Sequence, residues 1–229
     1  MDSLRVIEFF SGIGGWSCAL SNLYNQNFIQ KHNKKCLSYE IVAAYDINPI
    51  ANIVYEHNSK MKPNHKSIEK ITIKEIEKLN ANMWVMSPPC QPHTRNNITE
   101  NRDDKDPRSA SFLHLIEIIS KMHENQLPKY IALENVIGFE KSKCCELFIN
   151  MISNKRYKYI QYQLTPSQFG IPNERPRYFL VAALNSDNSN ISNILYEPTV
   201  IYDNLLITTC TNSSSNSSSS SSSSDSNKK

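Results

Sequence analysis

Five short runs of mostly apolar, β-favouring residues alternate along the chain with segments whose apolar residues recur at helical spacing. The runs are LRVIEFF (4–10), YEIVAAYD (39–46), MWVMS (83–87), YIALEN (130–135) and RYFLVAAL (177–184). Strands that are apolar on both faces are typical of a parallel sheet covered by helices on either side. The alternation therefore predicts an α/β fold with a doubly wound, mainly parallel sheet.

Helical patterns fill the intervals between these runs. They cover residues 14–26, 48–58, 72–80, 111–125 and 143–153. We expect N-caps at Asn48 or Asp46, at Thr72 and at Ser111. Segment 157–184 differs, because its two strand-like runs are joined without a long helix. It therefore predicts an antiparallel hairpin at the edge of the sheet.

The 229 residues allow one domain of ordinary size plus extra segments. From residue 212 the chain consists almost entirely of Ser and Asn, so we expect a disordered tail over 212–229. A net charge of +3 permits a nucleic-acid partner without diagnosing one. No run approaches the roughly 20 apolar residues of a membrane span, and no signal peptide is evident. We expect a soluble protein of the cytoplasm, the nucleus or both.

The cysteines predict reduced thiols. Six are present, with no CxxC pair and no regular spacing, so neither a metal site nor a disulfide framework is indicated. A free cysteine is usually a small buried apolar residue, which is the role expected for Cys18, Cys36, Cys144, Cys145 and Cys210. Cys90 differs from them, because it stands in SPPCQP, directly after an apolar strand and among three prolines that restrict its backbone.

Residues 9–15, FFSGIGG, follow the first run, and their glycines allow a tight turn and the close approach of a ligand at the start of a helix. Ser17 stands where a nicotinamide fingerprint needs its third glycine, which disfavours that cofactor. In AAYDINP, Asp46 can accept hydrogen bonds from both ribose hydroxyls of an adenosine-containing cofactor, or it can cap a helix. Ser67 and Ile68 can contact the edge and the face of an adenine.

Two further motifs place charged residues at the ends of strand-like runs. LENVIGFE brings Glu134 and Asn135 to the carboxyl end of its strand, where an acid needs either a partner or a task, although a purely structural role is an alternative. In NERPR, Arg175 and Arg177 flank a proline, so both side chains should leave the same face of an extended segment. One can pair with Glu134 and the other can contact a substrate.

The motifs FFSGIGG, SPPCQP, ENV and NERPR, in this order, resemble the signature motifs of cytosine-C5 methyltransferases. Over about residues 4–184 the chain most resembles the DNA methyltransferase 2 family of tRNA(Asp) cytosine-38 methyltransferases. The resemblance implies a Rossmann-like, seven-stranded S-adenosylmethionine-dependent methyltransferase domain over 1–185. Residues 186–211 would then begin a target-recognition region or form a linker.

The resemblance also implies a role for each motif residue. Cys90 would add to C6 of cytosine, Glu134 would bind the N3 and N4 edge, Arg177 would hold O2, and Arg175 would orient Glu134. The residues expected to bind S-adenosylmethionine, or its product S-adenosylhomocysteine, are Phe10, Ser11, Gly12, Ile13, Gly14, Gly15, Asp46, Ile47, Ser67, Ile68 and Ser87. No metal is expected.

These motifs are compatible with three functions. The first is a monomeric RNA cytosine-C5 methyltransferase acting on tRNA(Asp), with DNA as the alternative substrate for the same chemistry. The second is a module that binds cofactor or RNA without turnover, because the recognition region and the final helix of the family are missing after residue 211. The third, a nicotinamide oxidoreductase, leaves Cys90, Glu134 and the paired arginines without a role.

The polar loop 91–109 is expected to close over a flipped nucleotide, with Arg95 or Arg108 near the phosphates.

Overall fold

The computed structural model describes residues 3–25, 38–89, 103–185 and 201–202. Its strands are β1 (Leu4–Phe9), β2 (Tyr39–Tyr45), β3 (Met83–Met86), β4 (Tyr130–Val136), β5 (Tyr157–Leu164), β6 (Arg177–Leu184) and β7 (Ile201–Tyr202). Its helices are α1 (Gly15–Asn25), α2 (Pro49–Ser59), α3 (Ile73–Lys78), α4 (Ala110–Lys121) and α5 (Lys143–Asn154). Short 3-10 turns lie at Ile68–Lys70, Asp103–Lys105, Pro107–Ser109, Glu124–Gln126, Phe139–Lys141 and Pro166–Phe169.

Within the described residues, the strands form one seven-stranded sheet in the order β2-β1-β3-β4-β6-β5-β7. The ladders among β1, β2, β3 and β4 are parallel, whereas β6 is antiparallel to both of its neighbours. The predicted α/β sheet, mainly parallel with a hairpin near one edge, is confirmed. The hairpin differs in one detail, since its second strand lies inside, between β4 and β5, and β7 pairs outside β5.

Alternate residues of the central strands face two separate apolar layers. Ile7, Trp84 and Ile131 belong to the larger layer, which includes Phe112 of α4 and Phe148 of α5. The intervening residues Val6, Val85 and Ala132 form a smaller layer that packs against Trp16 and Leu20 of α1. Because helices cover both faces, the strands are apolar throughout, as the sequence predicted.

Two of the expected helix caps are confirmed. The Asn48 side chain accepts hydrogen bonds from the backbone N–H groups of residues 50 and 51, and Thr72 forms a capping box with Glu75. The cap expected at Ser111 is wrong, because a 3-10 turn over residues 107–109, capped by Asp106, leads directly into α4 at residue 110. None of the helices in the described ranges is long and apolar enough to cross a bilayer.

The cysteine predictions have mixed outcomes. Cys144 and Cys145 are buried as expected, and burial raises the pKa of each thiol to about 12. Cys18 is exposed, so the expectation of a buried residue is wrong there. It lies on α1, whose apolar contacts with the sheet come from Trp16 and Leu20 instead. Residues 36 and 210 lie outside the described part of the chain.

Glu8 is the exception in the apolar strand β1. Its side chain is fully buried, and its neighbours across the two adjacent ladders are Ala44 and Val85. Burial raises the pKa of this carboxyl to about 7, although hydrogen bonds from Tyr55 and from the backbone of the first turn of α1 oppose the shift. The fold therefore contains a buried acid that changes charge near neutral pH.

We predict that Glu8 makes the stability of the fold depend on pH. Its pKa rises from 4.5 to about 7 on folding, so the folded protein binds this proton more tightly than the unfolded chain. The contribution to the free energy of unfolding is complete below pH 4.5 and is lost as the pH rises through 7, a change of about 3 kcal/mol. Denaturant unfolding at pH 5 and pH 8 should show this loss in the wild type and not in Glu8→Gln. The exposed Glu56→Gln variant is the control, and an equal loss in all three proteins would contradict the prediction.

Candidate functional site

The chain changes direction across the sheet at β1. From β1 it continues to β2 on one side and returns to β3 on the other, and ligands of doubly wound folds bind beyond the carboxyl ends of the strands at such a point. The segments after β1 and β3 meet there. The backbone N–H of Ser87 donates to the carbonyl of Phe9 at 3.3 Å, and the indole Nε1 of Trp16 donates to Ser87 Oγ at 3.0 Å.

The glycine turn after β1 uses backbone conformations that few residues adopt. Phe10, Gly12 and Gly14 all have positive φ, of 54°, 52° and 93°. Ser11 is buried between them, and its carbonyl accepts a hydrogen bond from the N–H of Gly14 at 2.9 Å. A Cβ atom on Gly14 would lie 3.1 Å from the ring of Tyr55. Position 14 therefore requires glycine both for its φ and for the space that it leaves.

Asp46 ties this turn to the end of β2. Its Oδ2 accepts a hydrogen bond from the N–H of Gly12 at 2.8 Å, and its Oδ1 accepts one from the N–H of Asn48 at 2.8 Å. Since Asn48 is the cap of α2, the alternative of Asp46 as the capping residue is removed. A carboxylate offers about four acceptor positions, so Asp46 retains capacity for the hydroxyls of a ligand.

A cavity of about 430 Å³ opens at this edge of the sheet, a volume within the usual range for small-molecule sites. Five of the predicted cofactor residues line it, namely Phe10, Asp46, Ile47, Ile68 and Ser87. The rest of its wall comes from Glu69, Pro89, Pro107, Arg108 and Ser111. Ile13, Gly14 and Gly15 instead line a separate cavity of about 800 Å³ on the far side of the turn.

Glu69 is a lining residue that the sequence reasoning missed. The 3-10 turn Ile68–Lys70 brings its carboxylate to the cavity, where Oε1 accepts a hydrogen bond from Ser111 Oγ at 2.9 Å. Ser67, which was expected at the adenine edge, precedes the turn and does not line the cavity. The sequence did contain a signal for Glu69, because this acid directly follows Ile68, a residue expected to contact the adenine. Arg108, expected near phosphates, lines the cavity and forms an ion pair with Asp106 at 2.6 Å.

The chemistry of this wall fits an adenosine-containing cofactor. Phe10, Ile47 and Ile68 supply apolar surface for a purine ring, while the carboxylates of Asp46 and Glu69 can accept hydrogen bonds from hydroxyl or amino groups. Among the residues that the structure describes, no group of three or more His, Cys, Asp or Glu side chains is arranged to hold a metal ion.

Cys90 lies just outside the described residues, but the chain leading to it is fixed. Pro89 lines the cofactor-sized cavity. The carbonyl of Pro88 accepts a hydrogen bond from the buried side chain of Asn135 at 3.2 Å. Val85 pairs with Ala132 in the parallel ladder, so Glu134 lies two residues further along the same face, at the level where the chain leaves β3.

Glu134 forms an ion pair with Arg177, with 3.2 Å between Oε1 and Nε and with side chains that are 27% and 21% exposed. In this structure the partner of Glu134 is therefore Arg177, whereas the resemblance implied Arg175. The antiparallel ladder pairs Glu134 with Phe179 and Val136 with Arg177, so Arg177 is the diagonal neighbour of the acid on the same face. Arg175 is exposed two residues before β6, and its backbone N–H donates to Thr165 Oγ1 at 3.1 Å.

A family model for C-5 cytosine-specific DNA methylases matches residues 4–228, and the chain belongs to this family. The resemblance predicted from its motifs is confirmed. The chain is 43% identical over 188 residues to a tRNA (cytosine(38)-C(5))-methyltransferase of Bos taurus, a match covering 82% of this chain and 44% of the relative. It is 36% identical over 188 residues to a DNA (cytosine-5)-methyltransferase of Dictyostelium discoideum, covering 81% and 45%.

The fold is also similar to that of a solved relative. The crystal structure of the S. pombe Dnmt2 methyltransferase matches with a TM-score of 0.67 and 38% sequence identity, and the match covers 82% of this chain and 52% of that one. The predicted methyltransferase fold is thereby confirmed. The chain spans about half the length of the curated relatives that it matches.

We predict that Gly14→Ala destabilises the protein, whereas Gly15→Ala does not. Alanine at 14 must adopt a φ of 93° and place Cβ 3.1 Å from the Tyr55 ring, which should cost roughly 1–3 kcal/mol. Alanine at 15 meets no atom within 4 Å and needs no positive φ. Denaturant unfolding of the two variants measures the difference, and equal stability would contradict this account of the turn.

Proposed function

We propose that this chain transfers a methyl group from S-adenosylmethionine to C5 of a cytosine in RNA, with the anticodon loop of tRNA(Asp) as the substrate. One observation carries the proposal. Pro89 lines the cavity that fits an adenosine-containing cofactor and directly precedes Cys90, so a cofactor in that cavity and the thiol would share one edge of the sheet. The names of the mammalian and yeast relatives, which refer to cytosine 38 of tRNA, support the choice of substrate.

The cofactor would be held by the residues of the cavity wall. Phe10, Ile47 and Ile68 would contact the adenine, and Asp46 would accept hydrogen bonds from the ribose hydroxyls. Glu69 would accept one from an amino or hydroxyl group, in the role that was expected of Ser67. S-adenosylmethionine, when bound, supplies an electrophilic methyl group. The glycine turn, the other element expected to bind cofactor, would approach it through its backbone.

Cys90 would supply the nucleophile that C5 of cytosine needs for activation. The Cys90 thiolate would form an Sγ–C6 bond, and the C5–C6 π electrons would then become available at C5 for the methyl group. Loss of the C5 proton to a base and cleavage of the Sγ–C6 bond would restore the ring and the thiolate. Since a free thiol with a pKa near 8.5 is only a few per cent ionised at neutral pH, the site must favour its ionisation.

Glu134 and the arginines would hold the cytosine. Glu134 would bind the N3 and N4 edge and stabilise the electron-rich adduct. Its ion pair with Arg177 supports Arg177 as the residue that orients this carboxylate, and the exposed Arg175 as the one that contacts the substrate. This exchanges the two roles that the family resemblance implied.

A flipped cytosine costs a few kcal/mol of stacking and pairing in a duplex and less in an unpaired loop. This favours RNA over DNA for a chain with a small net charge. DNA is the second candidate, supported by the name of the Dictyostelium relative. A binding module without turnover is the third candidate. We propose a monomer that acts in the cytoplasm, the nucleus or both.

We predict that the chain methylates tRNA. Labelled S-adenosylmethionine should transfer its methyl group to a tRNA(Asp) transcript and not to duplex DNA. Cys90→Ala should abolish transfer, and Cys18→Ala, a change at an exposed cysteine, should leave it intact. Label on DNA alone would favour the second candidate. Cofactor binding without any label, in wild type and Cys90→Ala alike, would favour the binding module and contradict the proposal.

We predict that substitutions of the two arginines change different kinetic constants. Arg177→Ala should lower kcat by about 10- to 100-fold, because loss of the partner of a partly buried carboxylate costs roughly 1.4–3 kcal/mol. Arg175→Ala should mainly raise KM for the RNA, since the side chain is exposed and has no ion pair with Glu134. Methyl-transfer kinetics on tRNA(Asp) measure both constants. A larger loss of kcat in Arg175→Ala would restore the division of roles that the resemblance implied.

A further inference from the structure

Glu8 lies beneath the glycine turn and contacts both helices that flank it. The hydroxyl of Tyr55, from α2, donates to Oε2 of Glu8 at 2.9 Å. The backbone N–H groups of Trp16 and Ser17, in the first turn of α1, are close enough to lower the pKa of the carboxyl. Oε1 has no hydrogen-bond partner in the part of the chain that the structure describes. Tyr55 is therefore the side chain that holds the carboxyl.

Among the residues that the structure describes, no Lys, Arg or His contributes to the ionisation of this carboxylate. The neighbouring strands present Ala44 and Val85, and α1 has no acidic residue in its first turn. Tyr55 is the titratable group of α2 that faces Glu8, and Tyr39 of β2 lies near enough to act on Tyr55. Beyond these tyrosines, the interactions that set the ionisation of Glu8 are burial and backbone N–H groups.

Two of the residues that contact Glu8, Tyr55 and Trp16, also contact the glycine turn and the cavity wall. The ring of Tyr55 occupies the space against which Gly14 packs. Trp16, whose N–H faces Glu8, donates through its indole Nε1 to Ser87 Oγ at 3.0 Å, and Ser87 lines the cavity. A change in the charge of Glu8 would therefore affect the packing of the glycine turn and the position of Ser87.

We propose that Glu8 is a positioning residue for the cofactor, whose ionised carboxylate, held by Tyr55, fixes the glycine turn in its binding conformation. This inference rests on the proposed function. Protonation would convert one oxygen of Glu8 into a donor. At Oε2 that donor would displace or reverse the bond from Tyr55. Because the ionised oxygen accepts the Tyr55 hydroxyl and a protonated one would compete with it as a donor, the neutral acid would loosen the contact that holds Tyr55 beneath Gly14.

The consequence is a cofactor affinity that depends on pH. The affinity of the full chain for S-adenosylhomocysteine should rise about 5- to 10-fold between pH 6 and pH 8 and then level off. Binding at pH 7 should release protons, which appears in calorimetry as a binding enthalpy that varies with the ionisation enthalpy of the buffer. Glu8→Gln, which keeps the shape and cannot ionise, should lose most of both effects. His65 Nδ1 lies 3.1 Å from Asn52 Nδ2, whose amide also donates to the carbonyl of Asp46, and this histidine remains in that variant.

Tyr55→Phe provides a sharper test. It keeps the ring beneath Gly14 and removes the hydroxyl whose hydrogen bond lowers the pKa of Glu8. The midpoint of the affinity profile should therefore move to higher pH. Tyr157→Phe is the matched control, because it removes another buried hydroxyl, which lies on β5 and donates to the carbonyl of Pro128. It should leave the midpoint unchanged. Thermal unfolding checks that each variant is folded.

The outcomes separate this inference from the proposed function. Affinity that is measurable but independent of pH in the wild type, or a Glu8→Gln profile equal to that of the wild type, would overturn the role of Glu8 and leave the methyltransferase proposal standing. A profile of the opposite sign would overturn it as well. A folded wild-type chain that binds no S-adenosylhomocysteine at any pH would overturn both.

Discussion

The structure depends on the meeting of two chain segments at the point where the sheet changes winding direction. The N–H of Ser87 donates to the carbonyl of Phe9, which joins the glycine turn after β1 to the proline segment after β3. The first segment belongs to the cofactor side and the second leads to Cys90. Because parallel strands end at one edge, this junction places the small-molecule cavity beside Pro89, the residue that precedes Cys90.

Backbone restriction and buried hydrogen bonds keep that junction in place. Two prolines limit the conformations available before Cys90, and Asn135 of β4 holds the carbonyl of Pro88. On the other side, Asp46 holds the N–H of Gly12. Each of these side chains comes from a neighbouring strand, so the sheet itself determines the spacing between the cofactor cavity and the approach to the thiol.

Much of the fold and half of the site could be predicted from the sequence. Strands apolar on both faces predict a covered parallel sheet, and motifs that directly follow such strands lie at one edge whatever the details of packing. Phe10, Asp46 and Ser87 follow strands in this way and line the cavity, as do Ile47 and Ile68, which the family resemblance implied. Glu69 was missed because its position depends on a 3-10 turn that starts at Ile68, and the cap at Ser111 failed because a turn flows directly into α4.

The sequence by itself determined the order of the strands along the chain, the residue types at their carboxyl ends and the family to which the chain belongs. Only the tertiary structure decided which of two arginines two residues apart pairs with Glu134, because that choice follows from the register between β4 and β6. It also decided that the acid in β1 is buried, with the Tyr55 hydroxyl as its side-chain partner. Periodicity assigns a residue to a face of a strand, but the partner it meets there is set by register and by the helix packed above, which are relations between distant parts of the chain.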